Sequence, residues 1–148
     1  MSLVIINFGS DAESFFSYPG VEDVANEYAQ MAVPPMKGDF DKEKYFYMAE
    51  LCTFFAVADK GRAIGVAVVF RTGSNHIAQD IAALESYYID RAHRGTRAGW
   101  KLLVTVYEYA KEEGAEIFLA SAQVGSGLDK YLGRRMKHFQ NIYVAGLK

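Results

Sequence analysis

The sequence predicts an α/β domain in which helices flank a mixed sheet. Three observations carry this. Residues 54–70 read as two β-rich runs joined by a turn, residues 81–89 form an apolar run that breaks into a basic, glycine-containing turn followed by helical spacing, and residues 116–122 are β-rich again. Strand, helix and strand in succession predict a parallel crossover. With 148 residues, 51% of them hydrophobic, the chain is long enough for one domain with a substantial core over residues 1–148.

Taken in order, residues 3–8 are a short β-rich run closed by Gly9, and Ser10 or Asp11 can cap the helix that follows. Pro19-Gly20 divides the stretch 12–31 into two helical pieces, the second carrying Val21, Val24, Ala25, Tyr28 and Ala29 on one face. Val33-Pro34-Pro35 ends it. Residues 42–51 read as a further helix after a loop. The β-rich runs 54–58 and 63–70 are joined by Asp59-Lys60-Gly61-Arg62, a hairpin signal, and the second run is apolar on both sides, as a central strand covered by helices would be. Arg71-Thr72-Gly73-Ser74-Asn75 turns the chain into the strand at 81–89. The helix at 97–113 places Gly99, Leu102, Leu103, Val106 and Ala110 on one face, and Gly114 supplies its C-terminal cap. After the strand at 116–122, Gly125-Ser126-Gly127 precedes a short helix at 128–136, and residues 138–147 read as a final strand.

Arg94-Gly95-Thr96-Arg97-Ala98-Gly99 stands where the strand gives way to the helix. The first-turn N–H groups of a helix have no partner within it, and the helix dipole adds partial positive charge, so this turn reads as a pyrophosphate cradle. The segment also resembles the signature of the GNAT superfamily of N-acetyltransferases, an Arg/Gln-x-x-Gly-x-Gly/Ala turn after a strand. Arg94 fits the first position and Gly99 the last, while Arg97 replaces the middle glycine. Leu84-Glu85-Ser86-Tyr87-Tyr88-Ile89-Asp90 is similar to the family's strand before the turn, and Leu102 falls where its helix carries a core leucine.

The resemblance implies a GNAT-like fold of about six to seven strands, with two splayed parallel strands at its centre. It implies acetyl-CoA as co-substrate, held by Arg94, Gly95, Thr96, Arg97, Ala98 and Gly99, with Tyr88 and Ile89 offering backbone to the pantetheine arm. It implies transfer of an acetyl group to a primary amine, on a small molecule or a protein, and a homodimer by family habit. The alternative is a non-catalytic acyl-CoA-binding module. Lys130-Tyr131-Leu132-Gly133-Arg134-Arg135-Met136 is similar to the family's Phe-Tyr-x-x-x-Gly-Phe segment in its tyrosine alone, which makes Tyr131 the candidate proton donor to the leaving thiolate. Glu85 is the candidate base. By simple alternation it shares a face with Tyr87 and Ile89 and opposes Leu84, Ser86 and Tyr88.

Between Ser10 and Glu50, nine acidic residues face three lysines and are interleaved with aromatics, a lining suited to a cationic amine or, more plainly, a solvated face over an aromatic core. A net charge of -2 gives no global attraction to nucleic acid, although Arg134, Arg135 and Lys137 form a local basic cluster. The lone Cys52 sits among apolar residues, as a buried structural thiol would. His76, His93 and His138 lack metal-ligand spacing, so no metal is expected. No apolar run reaches membrane length, and the start MSLVIINF lacks a signal peptide's charge and cleavage site, which predicts a cytoplasmic protein.

Overall fold

The computed structural model describes residues 2–32, 34, 36–73 and 79–148. Val33 and Pro35, expected to end a helix, Ser74 and Asn75 of the expected turn, and His76 lie outside the described residues. Five strands form one sheet in the order β1-β2-β3-β4-β5: β1 Leu3–Asn7, β2 Cys52–Asp59, β3 Arg62–Gly73, β4 Asp80–Ile89 and β5 Ile117–Ala120. The pairs β1–β2, β2–β3 and β3–β4 are antiparallel, and β5 lies parallel to β4. The helices are α1 Ala12–Ser17, α2 Val21–Met31, α3 Glu43–Tyr47, α4 Ala98–Glu112 and α5 Gly127–Arg135.

Local chemistry sets these bounds. Asp11 accepts the Ser14 N–H at 3.0 Å and caps α1. Gly20, at φ 91°, starts α2 hard against β3, where an added Cβ would stand 2.6 Å from the Ala63 carbonyl. Lys60 and Gly61 both adopt positive φ in the β2–β3 hairpin, the requirement of a two-residue turn that follows the strand twist. The helix expected over 42–51 is instead α3 followed by a 3₁₀ turn at Ala49–Leu51. Gly114, at φ 84°, ends α4.

Side-chain alternation along β2 divides the core. Phe55 and Val57 face α4, joining Leu84, Ile89, Leu102 and Val106. Phe54 and Ala56 face α1 and α2, joining Phe15, Phe16, Val21 and Tyr88. Thus β2, β3 and β4 are covered on both faces, as the unbroken apolar runs require.

Two expectations change. The sheet has five strands among the described residues rather than six to seven, because residues 137–148 carry no regular structure and the final strand expected at 138–147 does not form. Tyr143 is 87% exposed. With β5 only four residues long, its free edge offers few ladder bonds against the entropy of ordering that segment. For the same reason the parallel pair lies at one side of the sheet, not at its centre. The splay itself is present: β5 pairs with Ile81 to Leu84 only, and β4 runs on alone through Ile89.

Candidate active site

The break in the β4–β5 ladder falls at a β-bulge. Val68 faces Ser86 while Val69 faces Leu84, so Glu85 is the extra residue, opposite nothing on β3. The bulge inverts the alternation of β4. Leu84 points to the α4 side together with Tyr87 and Ile89, whereas Ser86 and Tyr88 point to the α1–α2 side. Leu84 therefore shares a face with Tyr87 and Ile89, which corrects the grouping that uninterrupted alternation gave.

Glu85 is exposed and has no hydrogen-bond or ion-pair partner among the described residues. Neighbouring protein nevertheless desolvates it and raises its carboxyl above the ordinary value. Its surroundings are phenolic: Tyr28 is pushed up by burial and then by the Glu85 charge, and Tyr45 by burial above all, with a smaller part from Glu85. The Tyr45 and Ser86 hydroxyls lie 2.6 Å apart. Cys52 is buried at 3% exposure, its thiol pushed up to about 11 by burial and then by Glu85, so it stays a protonated core thiol.

At the end of β4, Asp90 N–H bonds to Ile64 O at 2.9 Å, which makes Ile89, opposite Gly65, a position whose own N–H and C=O face away from β3. They face the side that β5 has left. Arg94 donates from Nε to Ile89 O at 3.2 Å, and its guanidinium lies 4.9 Å over the Tyr88 ring. Tyr88 backbone groups, one residue earlier, face β3. A 3₁₀ turn at Arg91–His93 leads on, capped by Asp90, whose Oδ1 accepts the His93 N–H and lies 2.6 Å from His93 Nδ1. Gly95 takes φ 81°. In the turn and the start of α4, the N–H groups of Gly95, Thr96, Arg97, Gly99 and Trp100 have no acceptor among the described residues, while Ala98 N–H reaches Thr96 Oγ1 at 3.3 Å. Five unspent donors at a helix start, with the dipole behind them, form a cradle for an anion such as a diphosphate. Arg97 stands at the N-cap, and its guanidinium lies over the Trp100 ring, 5.6 Å from the centroid.

Sequence reading overlooked Tyr87. Its hydroxyl donates to Gly99 O at 2.7 Å and so ties α4 to β4. A Cβ on Gly99 would stand 2.8 Å from that oxygen, which gives the glycine a packing reason. Gly99→Ala is expected to cost about 1–3 kcal/mol by displacing the hydroxyl, and clearly less in a Tyr87→Phe background. A double-mutant cycle in thermal melts checks this; equal costs in both backgrounds would remove the coupling.

Tyr131 lies on α5, packed with Leu128 and Leu132 against the α4 side of the core. Burial first, and then the neighbouring Tyr131, push the Tyr87 hydroxyl up to about 12. Arg135 lies 3.9 Å over the Tyr131 ring. Glu85 and Tyr131 thus approach the open stretch of β4 from opposite sides of the sheet. Arg134 is exposed, and the described residues contain no group of side chains able to hold a metal ion. No helix among them is long and apolar enough to cross a membrane.

The chain is thus an α/β domain in which the open backbone of β4 runs into a donor-rich helix start, with an unpaired carboxylate on the bulge before it. The model of the Acetyltransferase (GNAT) family matches residues 21–127, and the chain belongs to this family. No curated protein matches the sequence significantly. Solved structures share the fold at low identity. A putative acetyl transferase from Pyrococcus furiosus superposes with a TM-score of 0.71 at 18% identity, covering 99% of this chain and 100% of the other. An aminoglycoside acetyltransferase from an uncultured soil metagenomic sample gives 0.72 at 15%, covering 99% and 97%. Glucosamine-6-phosphate N-acetyltransferase from Arabidopsis thaliana gives 0.70 at 12%, covering 100% of both.

Proposed function

We propose that the protein is an N-acetyltransferase that moves an acetyl group from acetyl-CoA directly to a primary amine. The single observation that carries this reading is the course of β4, which brings the Glu85 bulge, the open backbone of Ile89 and the donor-rich turn into succession along one strand. In this reading the N–H groups from Gly95 to Trp100 hold the diphosphate of the coenzyme, with Arg94 close by. Ile89 offers the backbone for the pantetheine arm; Tyr88, turned toward β3, contributes its ring beneath Arg94 instead. The bound thioester supplies the acetyl group.

An amine at neutral pH is mostly ammonium, with a pKa near ~10, and must lose a proton before its lone pair can attack. Glu85 accepts that proton, directly or through one water, and its raised affinity for protons suits the task. The Tyr131 hydroxyl donates a proton to the departing sulfur. No residue forms a covalent link, in keeping with the protonated Cys52 thiol.

Acetyl-CoA is expected to raise the melting temperature, where ATP and NAD do not, and an amine panel is expected to yield free CoA. Tyr131→Phe should lower kcat roughly 10- to 100-fold with little change in the acetyl-CoA shift. Stabilisation by acetyl-CoA without release of CoA for any amine would leave a binding module in place of an enzyme. Absence of both effects would remove the coenzyme from the account.

A further inference from the structure

Building on the N-acetyltransferase reading, we infer that the acceptor is a monoamine on an apolar or aromatic body, seated against Tyr28 and Tyr45 with its ammonium at Glu85. The sequence shows an acidic excess over residues 10–50 that invites a polycationic acceptor, and the structure commits most of it elsewhere. Glu22 pairs with Lys42 at 2.9 Å, Asp23 pairs with Arg62, and Glu27 accepts the Arg91 N–H at 3.0 Å. Asp11 caps α1, Asp39 accepts from Gln30 at 3.1 Å, and Asp41 accepts the Glu43 N–H at 3.1 Å. Glu13, Glu43 and Glu50 are exposed on short helical turns. Two carboxylates lie beside the phenols: Glu27, next to Tyr88, is held by the Arg91 N–H, and Glu85 makes no hydrogen bond or ion pair among the described residues, so Glu85 is the carboxylate left for one ammonium.

The groove next to Glu85 supports the same conclusion. Phe16, Tyr28, Phe40, Tyr45 and Tyr88 contribute its rings, and neither lysine nor arginine lines it. Arg94, over the Tyr88 ring at 4.9 Å, is a neighbouring cation that this reading gives to the coenzyme, so a sugar phosphate finds no counter-charge in the lining itself. The Tyr45 and Ser86 hydroxyls satisfy each other at 2.6 Å, which leaves the phenols of Tyr28 and Tyr88 as the hydroxyls unpartnered among the described residues, in a wall otherwise made of ring carbon, too few for a polyhydroxylated acceptor. Aromatic faces around one carboxylate favour a cation with a carbon body. The enclosed space is small, about 20 Å³, so a ring-sized body enters by turning a wall aside. Tyr28, 40% exposed and packed edge-on against Tyr88 at 5.5 Å, is the most exposed ring of the groove and the wall that has to turn.

The test is CoA release with equal concentrations of phenethylamine, hexylamine, spermidine, kanamycin, glucosamine-6-phosphate and an alanine-initiated peptide, alongside the acetyl-CoA melting shift. The two monoamines are expected to exceed the others in kcat/KM by roughly tenfold or more, about the factor that one aromatic–cation contact supplies. Tyr45→Ala should raise KM for phenethylamine roughly tenfold with kcat nearly kept. Because Tyr45 also touches the core, Tyr28→Ser, on the exposed lip, is the second variant and should raise KM in the same direction. Preference for spermidine, kanamycin, the sugar phosphate or the peptide overturns the inference and leaves the acetyltransferase reading standing. Unchanged KM in both variants also overturns it. No acetyl-CoA shift and no CoA release from any amine overturns both together.

Discussion

Glu85→Gln is expected to lower kcat/KM for the amine by roughly 10²- to 10⁴-fold while leaving the melting temperature unchanged or higher. Most substitutions of a strand residue cost stability, so the combination is diagnostic. It follows from where Glu85 stands. The residue is the surplus member of a bulge, makes no hydrogen bond or ion pair among the described residues, and is desolvated by its neighbours. A carboxyl whose folded pKa is raised favours the folded state when protonated. Its favourable contribution is complete below the unfolded value, near 4.5, and is lost as pH rises through the raised folded value. Gln removes this dependence. The stability difference between variant and parent should therefore be small near pH 4 and shift in favour of the variant as pH rises through that window. Activity runs the other way: the parent gains rate as Glu85 ionises, and the variant has no such limb. Melts and rates across pH check both; a variant that loses stability at neutral pH, or keeps its rate, contradicts the assignment.

Phe54→Ala is expected to cost about 3–5 kcal/mol, which for a chain of this size lowers the melting temperature by roughly 10–15 °C. Phe54 has 0% exposure and lies between β2 and the helices, with ring centroids 4.9 Å from Phe15, 6.2 Å from Phe16 and 6.3 Å from Tyr45. Its loss opens a cavity that three rings on two different elements cannot all close. Through Tyr45 it also reaches Ser86 and the wall beside Glu85, so KM for the amine should rise while the acetyl-CoA shift persists. Differential scanning calorimetry and kinetics below the transition measure the two effects. A melting change under 3 °C would show that the ring cluster relaxes into the space.

Much of the frame can be read from the chain because local rules and tertiary needs agree there. Pro19-Gly20, Lys60-Gly61 and Gly114 each mark a boundary that the backbone requires, and β3 is apolar on both sides because helices cover both. The helix start after Arg94 was legible for the same reason. The bulge was not. Nothing in Leu84-Glu85-Ser86 signals an extra residue, since the signal is a register mismatch with Val68 and Val69 on another strand. Tyr87 was hidden likewise, because the bulge alone turns it toward Gly99. The final strand failed in the opposite sense: Ile142-Tyr143-Val144 has strand composition, and composition says nothing of whether a four-residue neighbour can hold it. The committed acids of residues 10–50 show the same limit, since their partners Lys42, Arg62 and Arg91 lie up to 64 positions away.

The most direct measurement is a crystal structure of the protein grown with acetyl-CoA. The account predicts the diphosphate within hydrogen-bond reach of the N–H groups between Gly95 and Trp100, the pantetheine arm against Ile89 in the gap beyond Leu84, and the thioester on the Glu85 side of that gap. A turn closed by the Arg97 side chain, or a coenzyme bound anywhere else, would contradict it.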